Sequence, residues 1–134
     1  MKNTLLLILI MILYKSVNAQ LHYSQSEWLA PQEFSNLHVQ RLNDDSLSST
    51  FAIWVKQHVK EHYHEHHTEV VYVLEGAGEM TLNDERFPIK KGDYVFIPLG
   101  TKHSVVVKSE EPMKVISIQS PYFDGSDRVF TSHE

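Results

Sequence analysis

The chain has 134 residues, 42% of them hydrophobic and 22% charged, a balance that suits one soluble domain and argues against disordered or collagen-like organisation. Its formal net charge is −5 and it has no basic run, so a phosphate backbone would repel it and nucleic-acid binding is not expected. It contains no cysteine, which excludes disulfides, thiolate metal ligands, a cysteine nucleophile and a lipid-modified N-terminal cysteine, so that any metal site must use imidazole and carboxylate.

The stretch "MKNTLLLILIMILYKSVNA" carries a lysine near its start, an apolar run from Leu5 to Leu13, and "VNA" before Gln20. That is the pattern of a secretory signal peptide, residues 1–19, cleaved after Ala19. The run is shorter than the about 20 residues a bilayer-crossing helix needs, so no stable membrane insertion is expected after cleavage. The mature chain, residues 20–134, is then exported to the periplasm or secreted. It loses Lys2 and Lys15 and no acid, which leaves 10 basic against 17 acidic residues and a formal charge of −7.

Residues 20–50 are rich in turn formers ("SQSEW", "LAPQ", "RLNDDSLSS") and read as an N-terminal arm with one or two short strands around "NLHVQRL". From Phe51 the texture changes. The runs "FAIWVKQHV", "EVVYVLE", "GEMTLN", "ERFPIK", "DYVFIP", "HSVVVKS" and "MKVISIQ" are rich in β-branched and aromatic residues, and "GAG", "NDE", "KKGD", "PLGTK" and "SEEP" punctuate them. Strands this closely spaced, with no helical period between them, predict an all-β sandwich or barrel over residues 51–120. In "EVVYVL" both faces are apolar: Val71 and Val73 share one with Glu69, while Val70, Tyr72 and Leu74 share the other. One face lines the interior and the other meets a second sheet or a second subunit. The tail, residues 121–134, carries a turn at "FDGSD" with apolar Tyr122, Phe123, Val129 and Phe130, and is expected to pack back on the barrel.

Five of the nine histidines fall between His58 and His67. His62 and His64 stand two apart, so on an extended segment both imidazoles leave one face, and Glu69 opens the next strand after a turn. Two imidazoles and a carboxylate suit divalent iron, manganese, nickel or zinc. An H-x-H pair alone does not define a site. The second half lies 34 residues after Glu69, in "GDYVFIPLGTKH", where a glycine-bounded hairpin can return His103 to the first pair.

These two segments resemble the cupins, small jelly-roll β-barrels. "HYHEHHTEVVYVLEG" supplies His62, His64, Glu69 and Gly76 at the spacing of the family's first motif, and "GDYVFIPLGTKH" supplies Gly92, Pro98, Gly100 and His103 at that of the second. The resemblance spans about Phe51 to Gln119. It implies a single jelly-roll barrel, the metal ligands His62, His64, Glu69 and His103, and pairing as a homodimer. Lys56 stands where the first motif opens on glycine, and Val107 where the second closes on asparagine; neither is a ligand position.

On an octahedral metal these four groups leave up to two positions for water, dioxygen or a chelating substrate, whereas on tetrahedral zinc they would fill the shell. The expected cofactor is a divalent ion: iron, manganese, nickel, copper or zinc. Beside a structural or sensory barrel whose histidines titrate near neutrality, two functions follow. One is a mononuclear metal enzyme of dioxygenase, decarboxylase, lyase or isomerase type acting on a small polar molecule. The other is a module that binds metal or a small ligand without chemistry, suggested by the surplus of His58, His66 and His67. Tyr63, Tyr72 and Tyr94 are candidates to orient the ligands, and His58 is expected on a pocket wall or the surface.

Overall fold

Each run of valine, isoleucine and aromatic residues beyond Thr50 becomes a strand, and the chain reverses where the turn residues stand. The computed structural model describes residues 22–131; the expected signal peptide, residues 1–19, lies outside them. A single 3₁₀ turn, Gln25–Glu27, precedes β1 Leu37–Asp44, β2 Ser49–Val55, β3 His58–Tyr63, β4 Thr68–Glu75, β5 Ala77–Leu82, β6 Glu85–Lys90, β7 Tyr94–Ile97, β8 His103–Val107, β9 Met113–Ser120 and β10 Val129–Phe130.

The strands form two five-stranded antiparallel sheets, ordered β1-β2-β9-β4-β7 and β10-β3-β8-β5-β6. This is the expected all-β jelly roll. Side chains from both inner faces make the core: Val71, Val73, Val95, Ile97, Met113 and Val115 from the first sheet meet Met80, Ile89 and Val105 from the second. The run "FAIWVKQHV" is two strands rather than one. It breaks at Lys56 and Gln57, and the chain passes there from one sheet to the other.

The outer face of the first sheet is covered over half its width. Trp28, Ala30 and Phe34 of the arm pack on Leu42, Ala52 and Trp54. Buried Lys114 fastens them, its Nζ donating to the Trp28 carbonyl at 3.0 Å while lying 5.1 Å from the Trp54 ring centre. Lys56, where the family motif opens on glycine, keeps a φ outside the left-handed region and donates from Nζ to the Phe34 carbonyl at 2.6 Å. A lysine is useful here because it ties the arm to the β2–β3 turn. On the uncovered half, Tyr72, Tyr94, Phe96 and Ile118 are exposed.

Gly76, which closes the first motif, has φ +81°, and a Cβ built on it would stand 2.8 Å from the Met113 Cα. Conformation and space both demand glycine. Gly76→Ala is therefore expected to lower stability by about 2–3 kcal/mol, read as a lower urea midpoint with an unchanged slope.

The tail crosses from sheet to sheet. The Phe123 amide donates to Ser49 Oγ at 2.9 Å, its carbonyl accepts from Arg41 Nη2 at 3.2 Å, and β10 then pairs with β3 in the register Val129↔Tyr63, Phe130↔His62.

Candidate metal centre

A bulge in β3 sets up the site. His58 pairs with Val106 and Val59 with Val105, but the next matched pair is His62 with His103, so three steps on β3 span two on β8. The extra residue turns Val59 and His62 to the same, inner face, as bulges beside functional sites commonly do. Strict alternation would have placed His58 with His62; the bulge instead leaves His58 exposed on the outer side.

His62, His64, Glu69 and His103 converge, all buried, with one donor atom from each lying within 4.8 Å of the others. The ring centres of His62 and His103 are 4.2 Å apart, and that of His64 is 5.2 and 5.4 Å from theirs. Loops brace one another around them. The Gly100 amide of the second motif donates to the His64 carbonyl at 2.8 Å. Asn83, in the left-handed region at φ +50°, exchanges bonds with Lys102 next to His103.

Each imidazole has its Nδ1 engaged: His62 donates to the Lys60 carbonyl at 2.8 Å, His103 to that of Thr101 at 2.9 Å, and His64 to that of Asp127. Backbone acceptors of this kind fix ring orientation and leave Nε2 to carry a lone pair. His64 and His103 aim Nε2 at Glu69 Oε2 from 3.4 and 3.3 Å, without hydrogen-bond geometry, and among the described residues these buried nitrogens have no hydrogen-bond partner. Ser117 Oγ donates to the other oxygen, Oε1, at 2.5 Å. Three imidazoles and a carboxylate with converging donor atoms, the His64 and His103 Nε2 among them orphaned, fit a divalent cation, and this group could hold one.

The electrostatics agree. Burial and the neighbouring His103 push His62 down to about 4. Burial would also lower His64, but the Glu69 carboxylate and the Asp127 carbonyl outweigh it and raise that ring. Burial opposes ionisation of Glu69, yet His103, His64 and Ser117 together hold its carboxyl far below the usual range. In protein stripped of metal, His62 stays neutral while an unfolded chain takes up its proton near 6.5. Its contribution is thus full above pH 6.5 and is lost as pH falls toward about 4. Urea unfolding should show His62→Gln losing about 2 kcal/mol less than wild type between pH 7 and pH 5.

Asp127 locks the loop between β3 and β4. Its Oδ1 accepts from the Glu65 amide at 2.9 Å, and its Oδ2 from the His66 amide at 2.8 Å and from His67 Nδ1 at 2.5 Å. His67 Nε2 meets the Tyr122 carbonyl at 2.9 Å, so both its nitrogens are engaged, while His66 is exposed. The tyrosines do not orient the ligands: Tyr72 and Tyr94 are on the outer face, 41% and 63% exposed, and Tyr63 alternates away from His62. Ser117 and Asp127 take that part. The signal for Ser117 was a polar residue in the inward register of "MKVISIQ"; for Asp127 no local signal exists.

A cavity of about 80 Å³ opens between the sheets beside the cluster. Its walls are mainly valine, isoleucine and methionine, with His62, Glu69 and His103 at one end.

A family model described as a cupin domain matches residues 49–119. An uncharacterized protein of Aquifex aeolicus is 37% identical over 69% of this chain and 76% of its own length. Quercetin 2,3-dioxygenase of Bacillus subtilis is 39% identical over 34% of this chain, but this chain spans only 14% of that enzyme. Among solved structures, KdgF from Halomonas sp. superposes with a TM-score of 0.67 at 23% identity, covering 76% of this chain and 95% of that one, a likeness of fold.

Proposed function

The chain belongs to the cupin domain family, and from that premise we propose that it is a mononuclear metal-dependent enzyme acting on a small polar molecule. The observation that carries this reading is the convergence of three Nδ1-braced imidazoles and Glu69 at one end of a chamber between the sheets. His62, His64, Glu69 and His103 would hold the ion. A divalent iron, manganese, nickel or copper there would supply Lewis-acid or redox chemistry through the positions these residues leave free, whereas a tetrahedral zinc would be closed by the same four groups. Ser117 keeps the Glu69 carboxylate in one rotamer, the Lys60, Thr101 and Asp127 carbonyls keep the rings aimed, and the apolar walls hold water away from a bound guest. Reactions of dioxygenase, decarboxylase, lyase and isomerase type all suit such a site, and fold alone does not choose among them. The Bacillus subtilis relative is named a dioxygenase, which supports the oxidative member of that set.

Protein stripped with chelator and reloaded with each ion in turn is expected to retain one equivalent per chain by elemental analysis; retention of none overturns the reading. The second reading, capture without chemistry, leans on surplus imidazoles. With His67 engaged on both nitrogens, only exposed His58 and His66 would supply it. His58→Ala with His66→Ala is therefore expected to leave the stoichiometry at one, and a fall from two or more toward one would favour capture.

A homodimer and export belong to the same proposal. The exposed Tyr72, Tyr94, Phe96 and Ile118 make the kind of contiguous apolar face that a second copy covers, and the pattern of residues 1–19 supports a site of action outside the cytoplasm.

A further inference from the structure

The chamber beside the cluster has one cationic side chain among its lining residues, Arg128. It follows Asp127 directly and precedes β10, so the bonds that anchor Asp127 also hold Arg128 at the chamber. Arg128 is exposed, as are Leu37 and Val39, and these three form the open rim. Its guanidinium makes no hydrogen bond or ion pair with any described residue. An arginine with no partner among the described residues, beside a ligand-binding end, is a two-pronged donor shaped for a carboxylate.

We infer that the guest of this chamber is a small monocarboxylate with an apolar body, its carboxylate taken by Arg128 at the rim and its body lying against Ile53, Val55, Val71 and Met113. This rests on the enzyme reading above and narrows its substrate class. The walls decide the body. Beyond the cluster and Arg128, Ser104 is the one polar residue lining the cavity, so a polyhydroxylated guest would bury hydroxyls without partners. The guanidinium decides the head group, since it repels a cation and gains little from a neutral amide. The lining holds no lysine and no second arginine, so at the rim the lone guanidinium suits one negative charge better than a phosphate dianion.

Calorimetry with butyrate, the isosteric amide butyramide and inorganic phosphate tests this, on wild type, Arg128→Gln and Arg128→Lys, each metal-free and manganese-loaded. Wild type is expected to prefer butyrate over butyramide and phosphate by about tenfold or more. Arg128→Gln should lose that preference in both metal states, with Arg128→Lys between them. Elemental analysis should find metal content unchanged or higher in Arg128→Gln, because a positive charge near the ion has been removed. Far-ultraviolet circular dichroism should be unaltered for an exposed side chain with no partner among the described residues. Equal butyrate affinity in wild type and Arg128→Gln, no preference over butyramide, tighter phosphate binding, or no butyrate binding at all would each overturn the inference. Should wild type retain no metal, the enzyme reading fails, while the Arg128-dependent preference of the metal-free protein still decides the guest.

Discussion

Replacing His103 by alanine is expected to reduce metal content from one equivalent per chain to almost none while both sheets persist. The imidazole opens β8 from inside the barrel, and its Nε2 has no described hydrogen-bond partner, only Glu69 Oε2 at 3.3 Å. Its removal deletes one of three nitrogens from the proposed shell. The affinity should drop by more than the about 10- to 100-fold that follows loss of a group merely supporting a ligand. The fold should survive. Glu69 keeps Ser117 and His64, so its buried charge is not stranded, and the cost is about 1–3 kcal/mol against a core built elsewhere from both sheets. Elemental analysis and far-ultraviolet circular dichroism report the two quantities separately. His64→Ala should match it in metal loss, with a further stability cost because the Asp127 carbonyl loses its donor. A folded His103→Ala protein with its metal intact would refute the assignment.

The four converging residues were legible because two local patterns carry them. His62, His64 and Glu69 lie within eight residues, and His103 sits where a short hairpin returns, with Gly100 binding the His64 carbonyl to join the two segments. Strand positions were legible for the same reason, as "YVFI" became β7 and His103 opened β8. What escaped depends on register or distance. The bulge between Val59 and His62 reverses the face of His58, and it arises from pairing with β8, more than forty residues away, rather than from any local glycine or proline. The tyrosines looked like ligand supports because they lie within the two motifs, yet alternation sends Tyr72 and Tyr94 outward once Glu69 faces in. Val107, in the asparagine position, is half-buried against the core and donates its amide to the Gln57 carbonyl at 2.8 Å, so a backbone bond does the bracing there.

Asp127 shows the same limit most sharply, because its partners lie about 60 residues away in sequence. Asp127→Ala is expected to weaken metal binding about 10- to 100-fold and to lower stability by about 2 kcal/mol. The carboxylate holds the Glu65 and His66 amides and the His67 ring, and the same residue's carbonyl receives His64 Nδ1, so its loss frees the loop that aims one proposed ligand. Asp127→Asn keeps one acceptor oxygen and should recover part of both effects. The pH dependence separates the latch from the ligands. Burial works against ionisation, but the His67 ring and the two amides hold the Asp127 carboxyl down at about 2. Its contribution is therefore present above about pH 4 and is lost only as pH falls through about 2. Metal release that sets in between pH 7 and pH 5 then belongs to proton competition at the imidazoles, and Asp127→Ala should shift the whole release curve upward in pH without changing its steepness. Metal affinity measured well below the melting temperature distinguishes positioning from general support. If Asp127→Ala melts earlier but binds manganese as tightly as wild type, the residue stabilises the tail alone and has no part in aiming His64.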